Sequence, residues 1–241
     1  MDRMIYLAMA GAKAAMQRQD VLANNLANAS TTGFRAELHA FRAVPVRGDG
    51  ASTRVYALES TVGHDQRAGP MQSTGRGLDV AMQGNAWLSV QSLDGTEAYT
   101  RAGSLQLDAE GQIITPNGLP VLGDGGPITV PAGATLDIAS DGTVTAQLQG
   151  GSAQAVGRLK LVTPEAPLER GADGLFRAAD GDLAADPAAR LQGGALEGSN
   201  VSPVETMVAM IAAARQFEQQ MKSLKDVEQR EQAASRLLGT N

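Results

Sequence analysis

LEGSNVSPVETMVAMIAAARQFEQQMKSLKDVEQREQAASRLL, residues Leu196 to Leu238, is the stretch on which the architecture turns. It opens with several helix-start signals at once. Ser202 suits the N-cap, Pro203 the first helical position, and Glu205 the place where a capping box puts its carboxylate. Met207, Met210, Ala214, Phe217, Met221 and Leu224 then recur at alternating steps of three and four, the spacing of a coiled-coil seam. The phase slips at Val227 and resumes through Ala234 and Leu238, with Glu231 intruding. Glu218 with Lys222 and Asp226 with Arg230 are opposite charges four apart, suited to a solvated flank. A helix this long cannot bury its stripe against itself. It needs a partner.

The other end of the chain offers one. Ile5, Ala8, Ala12, Ala15, Gln19, Leu22 and Leu26 alternate at the same three and four, and only Gln19 is polar. Small side chains let a second helix approach closely, and the long ones of the C-terminal stripe can fill against them. This N-terminal helix is expected to end at Gly33, where glycine takes the left-handed cap conformation. On periodicity alone, both helices could equally be ordinary amphipathic elements on a globular core.

Bulk properties exclude several classes. The net charge is −6 over 241 residues and no Lys/Arg cluster stands out, so a nucleic-acid surface is not expected. Cysteine is absent, which removes disulfides and thiolate chemistry. No apolar run is long enough to predict a membrane-spanning helix, and no direct membrane insertion is expected. The start MDRMIYLAMAGAKAAMQRQD has too short an apolar core for a cleaved signal peptide.

Between the helices the period changes. Phe34 to Gly77 is mixed, with breakers from Pro45 to Pro70 and short candidate strands at Ala40–Val46 and Thr53–Leu58. It predicts an extended or loosely β arm. From Gly77 onward, short runs at Leu78–Met82, Ala86–Gln91, Ile128–Val130, Leu136–Ile138, Thr143–Leu148 and Leu159–Val162 alternate with Asp-Gly, Glu-Gly and Asn-Gly turns. That pattern suits an antiparallel sandwich or barrel. The Asp-Gly pairs fit turn chemistry better than calcium loops, because no twelve-residue ligand spacing is present.

A search for catalysis finds little. Only His39 and His64 exist, without HExxH spacing, a nucleophile elbow or a P-loop, so no enzyme, metal or cofactor is expected. The stretch ANNLANASTTGFR (Ala23 to Arg35) is more informative. Asn24, Asn25 and Asn28 are poor helix formers placed on a helix. Either they fray toward the cap, or their amides bond to a packed helix or a neighbouring subunit.

ANNLANASTTGFR resembles the N-terminal motif of the flagellar rod and hook family of axial proteins. GRGLDVAMQGNAWLSVQ (Gly75 to Gln91), YTRAGSLQLDAEGQI (Tyr99 to Ile113), GGPITVP (Gly125 to Pro131) and LEGSNVSPVETMVAMIAAARQFE (Leu196 to Glu218) agree with it in order. The matches span nearly the whole chain. Ser30 stands where the family more often has Asn, Trp87 and Leu88 where it usually has two aromatics, and Phe217 where Tyr is common. MDRMIYLAMAGA at the start, FRAVPV (Phe41 to Val46), VGRLKLV (Val156 to Val162) and DGLFR (Asp173 to Arg177) are most similar to the proximal rod branch.

The resemblance implies an α+β fold with N- and C-terminal helices paired as a coiled coil. Residues 1–34 and 200–241 would form that inner domain, 35–77 and about 186–199 a β-rich connecting domain, and 78–185 an outer, mostly antiparallel β domain. It implies a structural subunit of the proximal rod that assembles helically into the shaft carrying motor torque toward the hook. The implied partners are other proximal and distal rod subunits, inner-membrane ring and rod-base components, and the flagellar type III export apparatus, which delivers the chain to the periplasm without a cleaved signal. Subunit packing would use Ile5, Ala8, Ala12, Ala15, Leu22, Asn24, Asn25, Leu26, Asn28, Gly33, Phe34 and Asn200, with Met207, Met210, Ile211, Ala214, Phe217, Met221 and Leu224. The alternatives are a distal rod protein of the same family and, in a different class, a secreted stalk-and-head binding module.

Overall fold

The computed structural model describes residues 2–45, 55–148 and 150–238. The chain divides into two compact units. One takes Met1–Ala29, Ala36–Asp65 and Val201–Asn241, and the other takes Ser30–Arg35 and Gln66–Asn200.

The first unit holds both long helices. α1 (Asp2–Ala27) and α2 (Pro203–Leu238) pack against each other, and α1 also meets a hairpin of β1 (Glu37–Pro45) and β2 (Val55–His64). On α1 the inward face is the one the spacing predicts. Ala8, Ala12 and Ala15 are buried, and Ile5, Gln19, Leu22 and Leu26 are half-buried. The approach is close: a Cβ added at Gly11 would lie 2.9 Å from the Gln220 side chain of α2.

On α2 the register differs from expectation by one residue. The covered positions are Thr206, Met210, Ala213, Phe217, Gln220, Leu224 and Val227, an unbroken alternation of four and three. Met210, Phe217 and Leu224 were expected there. Thr206, Ala213 and Gln220 replace Met207, Ala214 and Met221 as the intervening seam positions. Ala214 remains half-buried, but Met207, Ile211 and Met221 are 50%, 56% and 46% exposed. The physical reason is fit. The alanine face of α1 draws α2 in close, and the row it faces places the slender Thr206, Ala213 and Gln220 between the larger Met210, Phe217 and Leu224. Val227, a phase slip in the sequence pattern, is in register with the observed seam. The side chains of Glu231, Ala234 and Leu238 lie outside the described residues.

The arm is a hairpin. β1 and β2 pair antiparallel from Glu37 opposite His64 to Pro45 opposite Val55, with a bulge between Leu38 and His39. It is longer than the two expected strands, whose Val46, Thr53 and Arg54 lie outside the described residues. α1 ends at Ala27 rather than at Gly33. Gly33 does have φ +69°, but its constraint is tertiary: a Cβ there would stand 2.3 Å from the Arg101 carbonyl carbon.

The second unit is a set of short antiparallel strands. β3 (Met71–Ser73), β4 (Val80–Met82), β5 (Trp87–Gln91), β6 (Glu97–Thr100), β7 (Gln106–Leu107), β8 (Ile113–Ile114), β9 (Leu122–Gly123) and β10 (Gly126–Pro127) come first. β11 (Thr135–Ile138), β12 (Thr143–Gln147), β13 (Gln154–Arg158), β14 (Leu161–Val162), β15 (Glu169–Arg170), β16 (Phe176–Arg177), β17 (Leu191–Gly193) and β18 (Ala195–Glu197) follow. The largest sheet runs β14-β5-β6-β16-β15, and a second runs β11-β12-β13. β17 and β18 return to pair with β4 and β3, so the chain closes this unit beside its own entrance. Ile128–Val130 is not a strand of its own, and Gln154–Arg158, which carries no clear alternation, is one.

The core explains how so few aromatics suffice. Val80, Leu88, Val90, Leu105, Ile113, Val121, Val144, Leu159 and Leu191 fill it with aliphatic side chains. Trp87, Tyr99, Val162 and Phe176 form a separate small cluster, with the Trp87 and Phe176 rings 4.6 Å apart. Burial pushes the Tyr99 phenol up to about 12, and its oxygen accepts a 2.6 Å bond from the Leu183 N–H.

The Asp-Gly pairs work as turns. Asp94, Asp141 and Asp173 each accept a bond from the backbone N–H two residues on, at 3.0, 3.0 and 3.1 Å. Hydrogen bonds from Thr96, Thr143 and, for Asp173, the Arg177 side chain hold all three carboxyls below the ordinary aspartate value. A depressed carboxylate contributes stability that is present above its unfolded value and lost as pH falls through the folded one. Thermal unfolding scans are therefore expected to show a falling midpoint below about pH 4. The triple Asn variant is expected to flatten that acid limb, and an unchanged limb would assign it to other groups.

Candidate assembly face and a buried ion cluster

In the helical unit, α1 and α2 each present two faces. Once the seam is made, Tyr6, Met9 and Met16 remain exposed on α1, and Val204, Met207, Val208, Ile211 and Met221 on α2. On α2, Val204, Met207, Val208 and Ile211 recur at helical spacing over the first turns, so they form a short stripe, with Met221 exposed separately further along. Of the residues expected to pack, Ala8, Ala12, Ala15, Ile5, Leu22, Leu26, Met210, Ala214, Phe217 and Leu224 are covered within one chain. Met207, Ile211 and Met221 on α2, and Asn24 on α1, are left uncovered.

The asparagines separate by role. Asn25 is buried, and its amide makes a two-way pair with the backbone of Glu37, donating to the C=O at 3.0 Å and accepting from the N–H at 2.9 Å. It pins the end of α1 to the start of the hairpin. Asn28 instead donates its amide to the Asn24 C=O at 2.9 Å, a bond at the helix end, and Asn24 is exposed. Asn25→Ala strands a partly buried donor and acceptor together and is expected to cost about 1–3 kcal/mol in urea unfolding. Asn24→Ala, on the exposed side, is expected to stay within about 0.5 kcal/mol.

In the β unit, three buried charged residues meet. The Glu197 carboxylate accepts from Arg35 Nη2 at 2.7 Å and from the Gly69 N–H at 3.0 Å through one oxygen. Its other oxygen accepts from Arg101 Nε at 2.8 Å and Nη2 at 2.5 Å. Arg101 spends its remaining capacity on the carbonyls of Met82, Gly84 and Ala86, at 3.0, 2.9 and 2.6 Å. All five of its N–H groups thus have an acceptor. Arg35 also donates to the Arg67 C=O.

Gly33, Phe34 and Asn200 gather around this cluster. The Gly33 N–H donates to the Glu197 C=O at 2.7 Å, and the Asn200 N–H to the Phe34 C=O at 3.3 Å. The Asn200 amide donates to the Arg67 C=O at 2.9 Å, and the Arg170 guanidinium lies 4.6 Å from the Phe34 ring centroid. The cluster therefore ties together every place where the chain enters or leaves this unit. Reading the sequence assigned no role to Arg35, Arg101 or Glu197. Each stands within two residues of a glycine in a recognisable motif, which is the available signal, but nothing in sequence reports that residues 96 apart are 2.5 Å apart.

Comparison with known proteins follows the same segments. The model "Flagella basal body rod protein" matches residues 5–35, "Flagellar hook protein FlgE/F/G D1 domain" residues 81–146, and "Flagellar basal body rod FlgEFG protein C-terminal" residues 192–237. The flagellar basal-body rod protein FlgF of Salmonella typhimurium is 50% identical over 249 aligned positions, covering 99% of each chain. FlgF of Caulobacter vibrioides is 33% identical with 99% of each chain covered. FlgG of Bacillus subtilis is 32% identical over 92% of this chain and 94% of its own. No helix among the described residues is long and apolar enough to cross a membrane. With 50% and 49% identity over 99% of each chain to the FlgF proteins of Salmonella typhimurium and Escherichia coli, the chain belongs to the FlgF family of flagellar basal-body rod proteins.

Proposed function

We propose that this protein is a structural subunit of the proximal rod, and that it assembles helically through α1 and α2 into the shaft that carries motor torque toward the hook. The observation that carries this is the outward stripe of Val204, Met207, Val208 and Ile211, left exposed with Met221 after the intrachain seam is complete. Covering the exposed half of such side chains contributes roughly 1 kcal/mol each, so a repeated contact accumulates quickly. Residues 1–34 and 200–241 form the coiled-coil assembly domain, 78–185 the outer β domain, and 35–77 with about 186–199 the connection between them. Other rod subunits and the inner-membrane ring and rod base are its neighbours, in the periplasm. The flagellar type III export apparatus delivers it there.

The test is mass spectrometry of detergent-purified hook–basal bodies from the native cell, beside a deletion strain. Presence of the chain, with the deletion halting assembly before the distal rod, is the expected result. Complete basal bodies without the chain would overturn the proposal and favour a secreted stalk-and-head module. An arrest after the proximal rod would assign it to the distal rod.

A further inference from the structure

Residues Arg190 to Asn200 are the last of the β unit, and the end of a folded unit ordinarily frays first. This end is bound in the opposite way, crossing from one early segment of the unit to the next. The Arg190 C=O accepts from the Gln83 N–H at 2.9 Å, and the Leu191 N–H donates to the Ser140 C=O at 3.0 Å. β17 and β18 then pair with β4 and β3. At the bend between them the Gly194 N–H donates to the Asp79 C=O at 2.7 Å. The Gly194 C=O accepts from the N–H groups of Thr74 and Gly75 at 2.8 and 3.0 Å. The Gly198 N–H donates to the Pro70 C=O at 2.9 Å, and the last bond joins the Asn200 N–H to the Phe34 C=O.

The interior depends on this segment as much as the hydrogen bonding does. Leu191, Ala195 and Glu197 are all but fully buried, and Leu191 belongs to the main core. Lifting the segment away would open that core and remove the strand partner of β3 and of β4. It would also strip Arg35 and Arg101 of the carboxylate that neutralises them. The seating is close: a Cβ at Gly69 would stand 2.0 Å from the Gly198 carbonyl oxygen. Core packing, strand pairing and charge balance are therefore lost together.

These contacts span long loops. Glu197 is 128 residues from Gly69 and 96 from Arg101 along the chain. The entropy of closing such loops is lost before the contacts return any stability. We infer that Arg190 to Asn200 is the closing segment of the β unit: none of the unit is stable until it docks, and its docking limits the rate of folding. Every residue through Asn200 must then be free before the unit folds. A chain still being synthesised, or passing through a channel, stays unfolded across the β unit. The use of this behaviour, keeping the chain threadable, rests on the export proposed above, and the folding behaviour itself does not.

Native-state hydrogen exchange on the full chain tests the dependence. The Leu191, Gly194 and Gly198 amides are expected to open together with the Ile113, Val121 and Leu159 amides of the core, within about tenfold in the opening equilibrium. Closing-segment amides that open more readily than that, with the core still protected, overturn the inference. Refolding kinetics test the rate-limiting step, read by Trp87, the one tryptophan of the chain, which lies in this unit. Leu191→Ala is expected to lower the folding equilibrium constant at least tenfold. The loss is expected as slower refolding, with the unfolding rate within about threefold of native. Ala195→Gly gives the same reading at a smaller loss should the first variant not fold. Native refolding rates with accelerated unfolding would put docking after the barrier and overturn the inference. Both measurements use purified protein, so failure of either leaves the rod assignment standing. Absence of the chain from basal bodies removes the use in export and leaves the folding result intact.

Discussion

Replacing Glu197 by alanine is expected to lower the unfolding free energy of this protein by about 3–5 kcal/mol, the largest effect of any single change considered. Two guanidiniums, Arg35 and Arg101, are buried to 4% and 1% exposure, and one carboxylate answers both. Removing it leaves two positive charges facing each other across a space that water reaches poorly, and frees the Gly69 N–H as well. Glu197→Gln tests charge separately from size. The amide can still accept a bond, but it neutralises neither arginine, so it is expected to lose nearly as much. Urea unfolding of the full chain reads both variants. A loss under about 1 kcal/mol would mean that the arginines find water or new acceptors when the carboxylate goes. Such an outcome would remove the cluster from the features that hold the unit's entrances together.

Met207→Asp and Ile211→Asp are expected to do the reverse: leave the fold intact and stop assembly. Both side chains are at least half exposed in the single chain, so a charge there stays hydrated, and thermal unfolding is expected to shift by no more than about 0.5 kcal/mol. In a packed filament the same charge would be desolvated without a partner, at a cost of several kcal/mol repeated at every contact. Incorporation into basal bodies and swimming motility are expected to fall at least tenfold. Met210→Asp is the control. It lies on the intrachain seam, so it is expected to destabilise the free protein as well. Normal motility in the Met207 and Ile211 variants would place the assembly face elsewhere on the helices.

The observed register of α2 explains why these two sets of residues behave differently. Met207 and Thr206 are adjacent, as are Ala214 and Ala213, and Met221 and Gln220. A rule that assigns the larger apolar residue to the seam chooses Met207 and Met221, and the three-four spacing between them brings Ala214 with them. The structure chooses the second of each pair, because the partner helix is lined with alanine and sits close. What looks in sequence like one continuous stripe is two faces sharing a border.

Sequence by itself determined the elements whose cause is local. The start of α2 at Pro203, the inward alanines of α1, the Asp-Gly turns and the antiparallel class all follow from periodicity and from turn chemistry within a few residues. The family also followed, because its motifs are contiguous. Tertiary structure alone decided three things. It selected which of two neighbouring rows on α2 faces α1, a choice set by the partner's shape. It gave Gly33 its role against the Arg101 backbone instead of at a helix cap. It brought Arg35, Arg101 and Glu197 together from three distant segments. Their attraction acts over a few ångströms of space, whatever the length of chain between them, and spacing along the chain carries no record of that distance.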